Sequence, residues 1–146
     1  MIRFVSIMAF RTALDDLLKV RRGVYASVPT EICRSFMGVS IEHIRSNRDM
    51  ILMDNDSIII KLRLPDRNQH LSKADGYRLV YIVMKNVPVV CLLTVYPKRG
   101  PMQKPDLENG ELQRLMDAFI AESNARQVVV HDIYNNLAVV PNVSQF

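Results

Sequence analysis

Two apolar stretches joined by one short turn constrain the fold of this chain more than any other feature. Residues 76–85 and 89–96 are rich in β-branched and aromatic residues, and Lys85-Asn86-Val87-Pro88 joins them. Runs of this kind on either side of a turn predict neighbouring antiparallel strands. Yet Arg78 lies inside the first run, and further cations follow the second. The sequence thus predicts a buried hairpin with positive charge at its ends.

The segment before this hairpin predicts a strand, two or three helices and a second hairpin. Residues 2–10 have strand composition, and apolar residues then recur at helical spacing. The apolar face of the first helix consists of Phe10, Leu14, Leu17 and Leu18, and the helix ends at Arg21-Arg22-Gly23. The apolar face of the second consists of Ile32, Cys33, Phe36 and Met37, and that helix ends at Gly38. Ser40 could cap one further turn through Ile41 and Ile44. Residues 50–64 form the second hairpin, with its turn at Asp54-Asn55-Asp56.

The segment after residue 64 predicts a loop, the buried hairpin, a helix and a β tail. Residues 65–76 form a polar loop, and the helix spans 111–123. Its apolar stripe is Leu112, Leu115, Met116, Phe119 and Ile120. Residues 127–140 predict two short strands around Asn135-Asn136. The fold class is therefore α+β, with a mainly antiparallel sheet flanked by N-terminal helices and a closing C-terminal helix. We divide it into a domain of residues 1–123 and a C-terminal β extension, 124–146.

Charge is distributed unevenly along the 146 residues. Residues 61–104 carry nine lysines and arginines against two acids, a net charge of +7, whereas residues 105–146 carry two against six, a net charge of −4. This asymmetry indicates an anionic partner for the middle segment, although solvated surface charge explains it equally well. No apolar run reaches the ~18 residues of a membrane span and the start lacks signal-peptide features, so we expect a cytoplasmic protein. Cys33 and Cys91 lie among apolar neighbours and read as buried structural thiols.

Strand alternation gathers several of the cations on one face of the sheet. Lys61 and Arg63 share a face of their strand because side chains alternate. The hairpin loop decides the partner of Arg78. A two-residue loop pairs Arg78 with Val95, and a three-residue loop that contains Pro88 pairs it with Tyr96. We favour the second, because proline cannot donate to a strand ladder.

A sheet face with Lys, Arg and Tyr side chains suits phosphate. If RNA binds there, its own 2′-hydroxyl can attack the adjacent phosphate. The protein then has to take a proton, stabilise charge and protonate the leaving oxygen, and we expect neighbouring cations to shift the pKa values of the groups involved. The alternative is a nucleic-acid-binding surface without turnover. His43, His70 and His131 lack metal-ligand spacing, so we expect no metal site and no cofactor. His70 is either an exposed loop residue or a proton donor.

Three segments in order resemble the core of RelE/HigB-type toxins of bacterial toxin–antitoxin systems. They are "IIIKLRLP", "SKADGYRLVYIV" and "VVCLLTVYPKRG", followed by an acidic helix start at Pro105-Asp106-Leu107-Glu108 to Glu111. The similarity covers roughly residues 57–122. It implies a small sheet flanked by helices, a metal-independent, ribosome-dependent endoribonuclease (mRNA interferase) that blocks translation, and inhibition by a cognate antitoxin.

The resemblance also implies roles for individual residues. Lys61 and Arg63 would hold RNA phosphates, Arg78 would stabilise the transition state, and Tyr96 with Lys98 would stack on a base or transfer a proton. The remaining RNA-binding candidates are Lys73, Lys98, Arg99, Arg67 and His70. Relatives of the ParE branch act on gyrase instead, so the fold alone leaves the target open. Residues 124–146 have no counterpart in the family pattern. This tail could pair with a sheet edge, which we favour, join two copies as a homodimer, or mask the basic face.

Overall fold

The computed structural model describes residues 1–141 of the chain. Seven strands and four α-helices lie in these residues. The strands are β1 (Arg3–Ser6), β2 (Met50–Met53), β3 (Ser57–Leu64), β4 (Tyr77–Met84), β5 (Val89–Pro97), β6 (Val129–Asp132) and β7 (Ala138–Val139). The helices are α1 (Met8–Leu18), α2 (Val28–Phe36), α3 (Ile41–Arg45) and α4 (Glu111–Asn124).

All seven strands belong to one sheet, in the order β2-β3-β4-β5-β1-β6-β7. Neighbouring strands are antiparallel except β1 and β5, which are parallel. The predicted α+β class with a mainly antiparallel sheet is therefore confirmed. None of the helices in residues 1–141 is long and apolar enough to cross a membrane.

The N-terminal helices cover one face of this sheet. Helix α2 buries Val28, Ile32 and Phe36, which follow one another at four-residue spacing and so point the same way. The Phe36 ring packs edge-on against Tyr81 of β4, with ring centroids 5.2 Å apart. Ser40 caps α3 as predicted, because its side chain accepts a hydrogen bond from the His43 amide. Cys33 is buried in this core.

Helix α4 covers part of the opposite face. Its predicted stripe packs there through Leu112, Leu115, Met116 and Phe119. Ile120 was expected in the same stripe but is exposed. Beyond α4, towards the ends of β3, β4 and β5, this face of the sheet is lined by charged side chains.

The predicted boundaries of the first elements are wrong. The strand expected over 2–10 ends at Ser6, since β1 pairs with β5 only over Arg3–Ser6. Helix α1 then begins at Met8, whose amide donates to Glu122 Oε1 of α4 at 2.9 Å. It ends at Leu18, and the expected stop at 21–23 is a separate 3-10 turn in which the φ of Arg22 is +65°.

The tail joins the sheet of its own chain. Strand β6 pairs with β1, and β7 pairs with β6, which is the intrachain edge that the sequence favoured. Ile133 and Leu137 are buried in the core beneath α1 and α2. This edge lies on the far side of β1 and β5 from β3, so the tail through Pro141 does not mask the charged end of the sheet. Residues 142–146 of the predicted extension lie outside the described part of the chain.

Candidate nucleic-acid cleavage site

A β-bulge sets the register that brings Arg78 beside Tyr96. Close to the turn, Tyr81 pairs with Leu92, which is the register of a two-residue loop. Leu93 is then an extra residue on β5, and beyond it Arg78 pairs with Tyr96. The predicted neighbours are therefore correct, but the reason given for them is wrong. The shift comes from the bulge, whereas Pro88 leaves the register of the turn unchanged and offers its carbonyl to Arg3 of β1.

The four predicted catalytic residues line a single cavity of about 350 Å³. Arg63 and Arg78 are directly opposite each other on β3 and β4. The lining consists of Lys61, Arg63, Arg78, Tyr96, Lys98, Asp49, Met50, Ile51, Pro105 and Asp106. Four cations and one phenol thus surround a space large enough to admit a phosphodiester group.

Backbone carbonyls of the loop before β4 fix the Arg78 guanidinium. Its Nη1 donates to the carbonyl of Lys73 at 2.9 Å, and its Nη2 donates to that of Ala74 at 3.0 Å. Partial burial, and then the nearby Arg63, lower the pKa of Arg78 from its ordinary value. Arginine nevertheless stays charged at neutral pH. Arg78 is therefore a fixed positive charge rather than a proton carrier.

The pKa of Tyr96 is set by burial more than by the neighbouring cations. It is buried, and its hydroxyl lies 3.4 Å from Asp106 Oδ1. Burial, followed by the charge of Asp106, raises the pKa of Tyr96 above its ordinary value, and Arg78 opposes this only weakly. Neighbouring cations do shift pKa values here, as expected, but for Tyr96 burial and Asp106 have the larger effect. The Tyr96 phenol keeps its proton at neutral pH and can donate it.

Asp106 is a cavity residue that sequence reasoning did not assign, as is Asp49, and Asp106 contacts two of the predicted catalytic residues. Its Oδ1 accepts a hydrogen bond from Lys61 Nζ at 2.9 Å. That hydrogen bond, and the one from the Leu107 amide, lower the pKa of Asp106. The sequence had placed Asp106 only at the start of the closing helix. Helix α4 begins later, at Glu111, so Asp106 lies in a loop that folds over the ends of the strands.

Two predicted RNA-binding residues lie at a second cavity, on the side of the sheet that faces α2 and α3. Lys73 and Arg67 line this cavity, which also measures about 350 Å³, and Arg63 lines both cavities. Arg67 already makes two contacts within the protein. Its side chain forms an ion pair with Glu31, and its backbone amide donates to the same carboxylate. Lys73 is linked to the first cavity through its backbone carbonyl, which accepts a hydrogen bond from Arg78.

The other two candidates are separate from both cavities. Arg99 is exposed and forms an ion pair with Asp75 at 2.6 Å. His70 is exposed at the end of a 3-10 turn with a φ of +58°, so it is an exposed loop residue. The structure therefore gathers Lys61, Arg63, Arg78, Tyr96 and Lys98, and leaves Arg67, His70, Lys73 and Arg99 around them.

A buried acidic network holds the loop that carries the Arg78 ligands. Asp66 is fully buried and accepts hydrogen bonds from the hydroxyls of Ser27 and Tyr77, both at 2.9 Å. The Gln69 amide adds a third at 3.2 Å. The sequence predicted only an irregular polar loop here. Its order depends on Ser27, which immediately precedes α2, and on Tyr77 of β4.

Comparisons with models of protein families, with curated proteins and with solved structures find no match for this chain.

Proposed function

We propose that this chain is the toxin of a bacterial toxin–antitoxin pair, with a RelE-like fold, and that it cleaves messenger RNA on the ribosome without a metal ion. The observation that carries the proposal is the cavity in which Lys61, Arg63, Arg78 and Lys98 surround Tyr96. Cations concentrated on one sheet face suit a phosphodiester backbone, and the motifs that contribute them are those of the resemblance. A sheet covered by helices is also the architecture that the resemblance implies.

The proposed reaction uses the RNA itself as nucleophile. Lys61 and Arg63 hold the phosphates on either side of the scissile bond. Arg78, fixed by its carbonyl ligands, stabilises the extra negative charge on phosphorus in the transition state. Tyr96, a neutral phenol, donates its proton to the leaving 5′-oxygen. The proposed partners are the ribosome with its messenger RNA and a cognate antitoxin.

A binding module without turnover is the second candidate. The same cluster of cations supports it, because Lys61, Arg63, Arg78 and Lys98 can contact phosphates whether or not the nucleic acid is cut. A chain that only binds nucleic acid, or one that acts on gyrase like the ParE branch, needs no acid–base groups in this cavity. It would bind RNA or DNA with strong salt dependence and leave it intact.

The test is cleavage of messenger RNA by the purified chain on programmed ribosomes. The chain is treated with EDTA and desalted before mixing, which should not change the rate. Arg78→Ala should lower the rate by about 10²–10³-fold, the usual cost of losing one group that stabilises transition-state charge. Arg21→Ala is the matched control, because Arg21 is exposed and is not among the residues that line the cavity.

Thermal unfolding of Arg78→Ala checks that the loop around Lys73 and Ala74 stays folded, and Arg78→Lys gives a second variant that keeps the charge. Equal rates for the parent and both Arg78 variants would refute the site. Ribosome or RNA binding by the parent, with no cut product, would select the binding module instead.

A further inference from the structure

The proposed cleavage requires a group that accepts the proton of the 2′-hydroxyl. Arg78 cannot accept this proton, because a guanidinium stays protonated at neutral pH. Tyr96 cannot serve either, since it holds its own proton at neutral pH. The cavity lining contains two carboxylates, Asp49 and Asp106. Of these, Asp106 contacts both Lys61 and Tyr96 directly.

We infer that Asp106 is the general base of the proposed cleavage and works as a pair with Tyr96. This inference rests on the proposed function and assigns the one role that it leaves open. Within residues 1–141, the hydrogen bonds to this carboxylate come from Lys61, Leu107 and Tyr96, and all end on Oδ1. The side chain is 62% exposed and lines the cavity, so Oδ2 is accessible to a substrate hydroxyl.

The step balances without any added reactant. The 2′-oxygen forms a bond to phosphorus while its proton moves to Asp106 Oδ2. The bond from phosphorus to the 5′-oxygen breaks, and the leaving oxygen takes the proton of Tyr96. The products are a 2′,3′-cyclic phosphate and a free 5′-hydroxyl. Asp106 is then protonated on Oδ2 and Tyr96 is ionised. The exposed Asp106 loses its proton to solvent and Tyr96 takes one up from solvent, which restores the starting state.

The surroundings of Asp106 match this role. Lys61 keeps the carboxylate ionised before reaction, because its hydrogen bond lowers the pKa of Asp106. Burial keeps the Tyr96 phenol protonated, because it raises the pKa of that group. The two shifts set the starting protonation states that the step requires, an ionised carboxylate and a neutral phenol.

The competing role for Asp106 is that of a counter-ion that substrate phosphate must displace from Lys61. The two roles predict opposite effects of removing the carboxylate. Loss of a base slows cleavage, whereas loss of a counter-ion frees Lys61 and speeds it. Because the carboxylate is exposed, Asp106→Ala should fold, and its thermal midpoint should confirm this.

The experiment measures single-turnover cleavage on programmed ribosomes for the parent, Asp106→Ala and Asp106→Asn. Both variants should be slower by about 10²–10⁴-fold, the usual contribution of a general base. Added sodium formate should partly restore Asp106→Ala, compared with equal sodium chloride, because a small carboxylate can occupy the vacated space. Formate should not restore Tyr96→Phe. Asp117→Asn, on the exposed face of α4, is the matched control.

Affinity is measured with messenger RNA that carries a 2′-deoxy nucleotide at the cut position and so cannot react. A base predicts unchanged or tighter binding by Asp106→Ala. Parent cleavage together with an unchanged or faster Asp106→Ala overturns the inference and leaves the proposed function standing. A slow variant that formate does not restore also overturns it. A parent that cuts no messenger RNA overturns the proposed function itself.

Discussion

Removing the hydroxyl of Tyr77 should destabilise the fold through the buried carboxylate that it serves. Tyr77 is buried, and its hydroxyl donates to Asp66 Oδ2 at 2.9 Å and lies 3.2 Å from Ser27 Oγ. Tyr77→Phe keeps the ring and its edge contact with Tyr25. It therefore removes a hydrogen bond while leaving the packing unchanged.

The expected loss follows from what the hydroxyl supports. A hydrogen bond to a charged group contributes about 1.5–3 kcal/mol, because the buried acceptor cannot recover water. We expect the free energy of unfolding to fall by about 2 kcal/mol. With a urea slope of about 2 kcal/mol/M for a chain of this size, the urea midpoint should fall by about 1 M.

Urea unfolding followed by circular dichroism measures this change. Tyr134→Phe is the matched control, since that side chain is 71% exposed and its hydroxyl makes only a 3.4 Å contact with the Gly38 amide. The control should stay within about 0.5 kcal/mol of the parent, as surface substitutions do. If Tyr77→Phe also stays within that range, the Asp66 network does not carry the stability assigned to it.

Three further predictions concern the surroundings of Gly76, His131 and Cys91. Gly76→Ala should lower the free energy of unfolding by about 3 kcal/mol or more, because a Cβ there would lie 2.0 Å from the Leu64 carbonyl oxygen. Gly38→Ala should lower it by only about 1 kcal/mol, because of its positive φ. Equal urea midpoints for the two variants would contradict this. Burial lowers the pKa of His131, so as the pH falls this histidine is protonated in the unfolded chain before it is protonated in the folded chain. The free energy of unfolding should therefore decline as the pH falls below about 6.5. Urea midpoints at pH 7.5 and 5.5 should differ less for His131→Gln than for the parent, and an unchanged difference would refute this role. Burial raises the pKa of the Cys91 thiol, which should react with Ellman's reagent only as the chain unfolds, so rapid labelling of the folded chain would contradict its placement.

Strand alternation was enough to predict which cations share a face. Lys61 and Arg63 alternate with Ile60, Leu62 and Leu64, which are buried or partly buried, so their side of β3 could be inferred from the sequence. The same reasoning could not find the bulge. Both Leu92 and Leu93 are fully buried, and β5 is buried at every position. A strand covered on both faces has no alternation that marks where the phase changes.

Asp106 could not be placed by local pattern either. Its position depends on the path of the loop between β5 and α4. That path is fixed by contacts such as Lys98 to the Pro105 carbonyl and Lys104 to Glu111. Both contacts join residues seven positions apart across an irregular loop, where neither a helical nor a strand repeat predicts them. Helix α4 was easier to predict, because its buried side chains follow a helical repeat.

Gly76, the first residue of the "GYR" segment, is required by backbone packing rather than by the proposed reaction. The backbone of Leu64, Pro65 and Asp66 passes so close that only a residue without a side chain fits there. Its neighbour Tyr77 anchors the same crossing. Chain architecture therefore constrains these two positions, whereas the proposed reaction adds a constraint on Arg78 beyond its contacts with the Lys73 and Ala74 carbonyls. Related chains without the proposed activity should keep the glycine and the tyrosine while the residue at position 78 varies more.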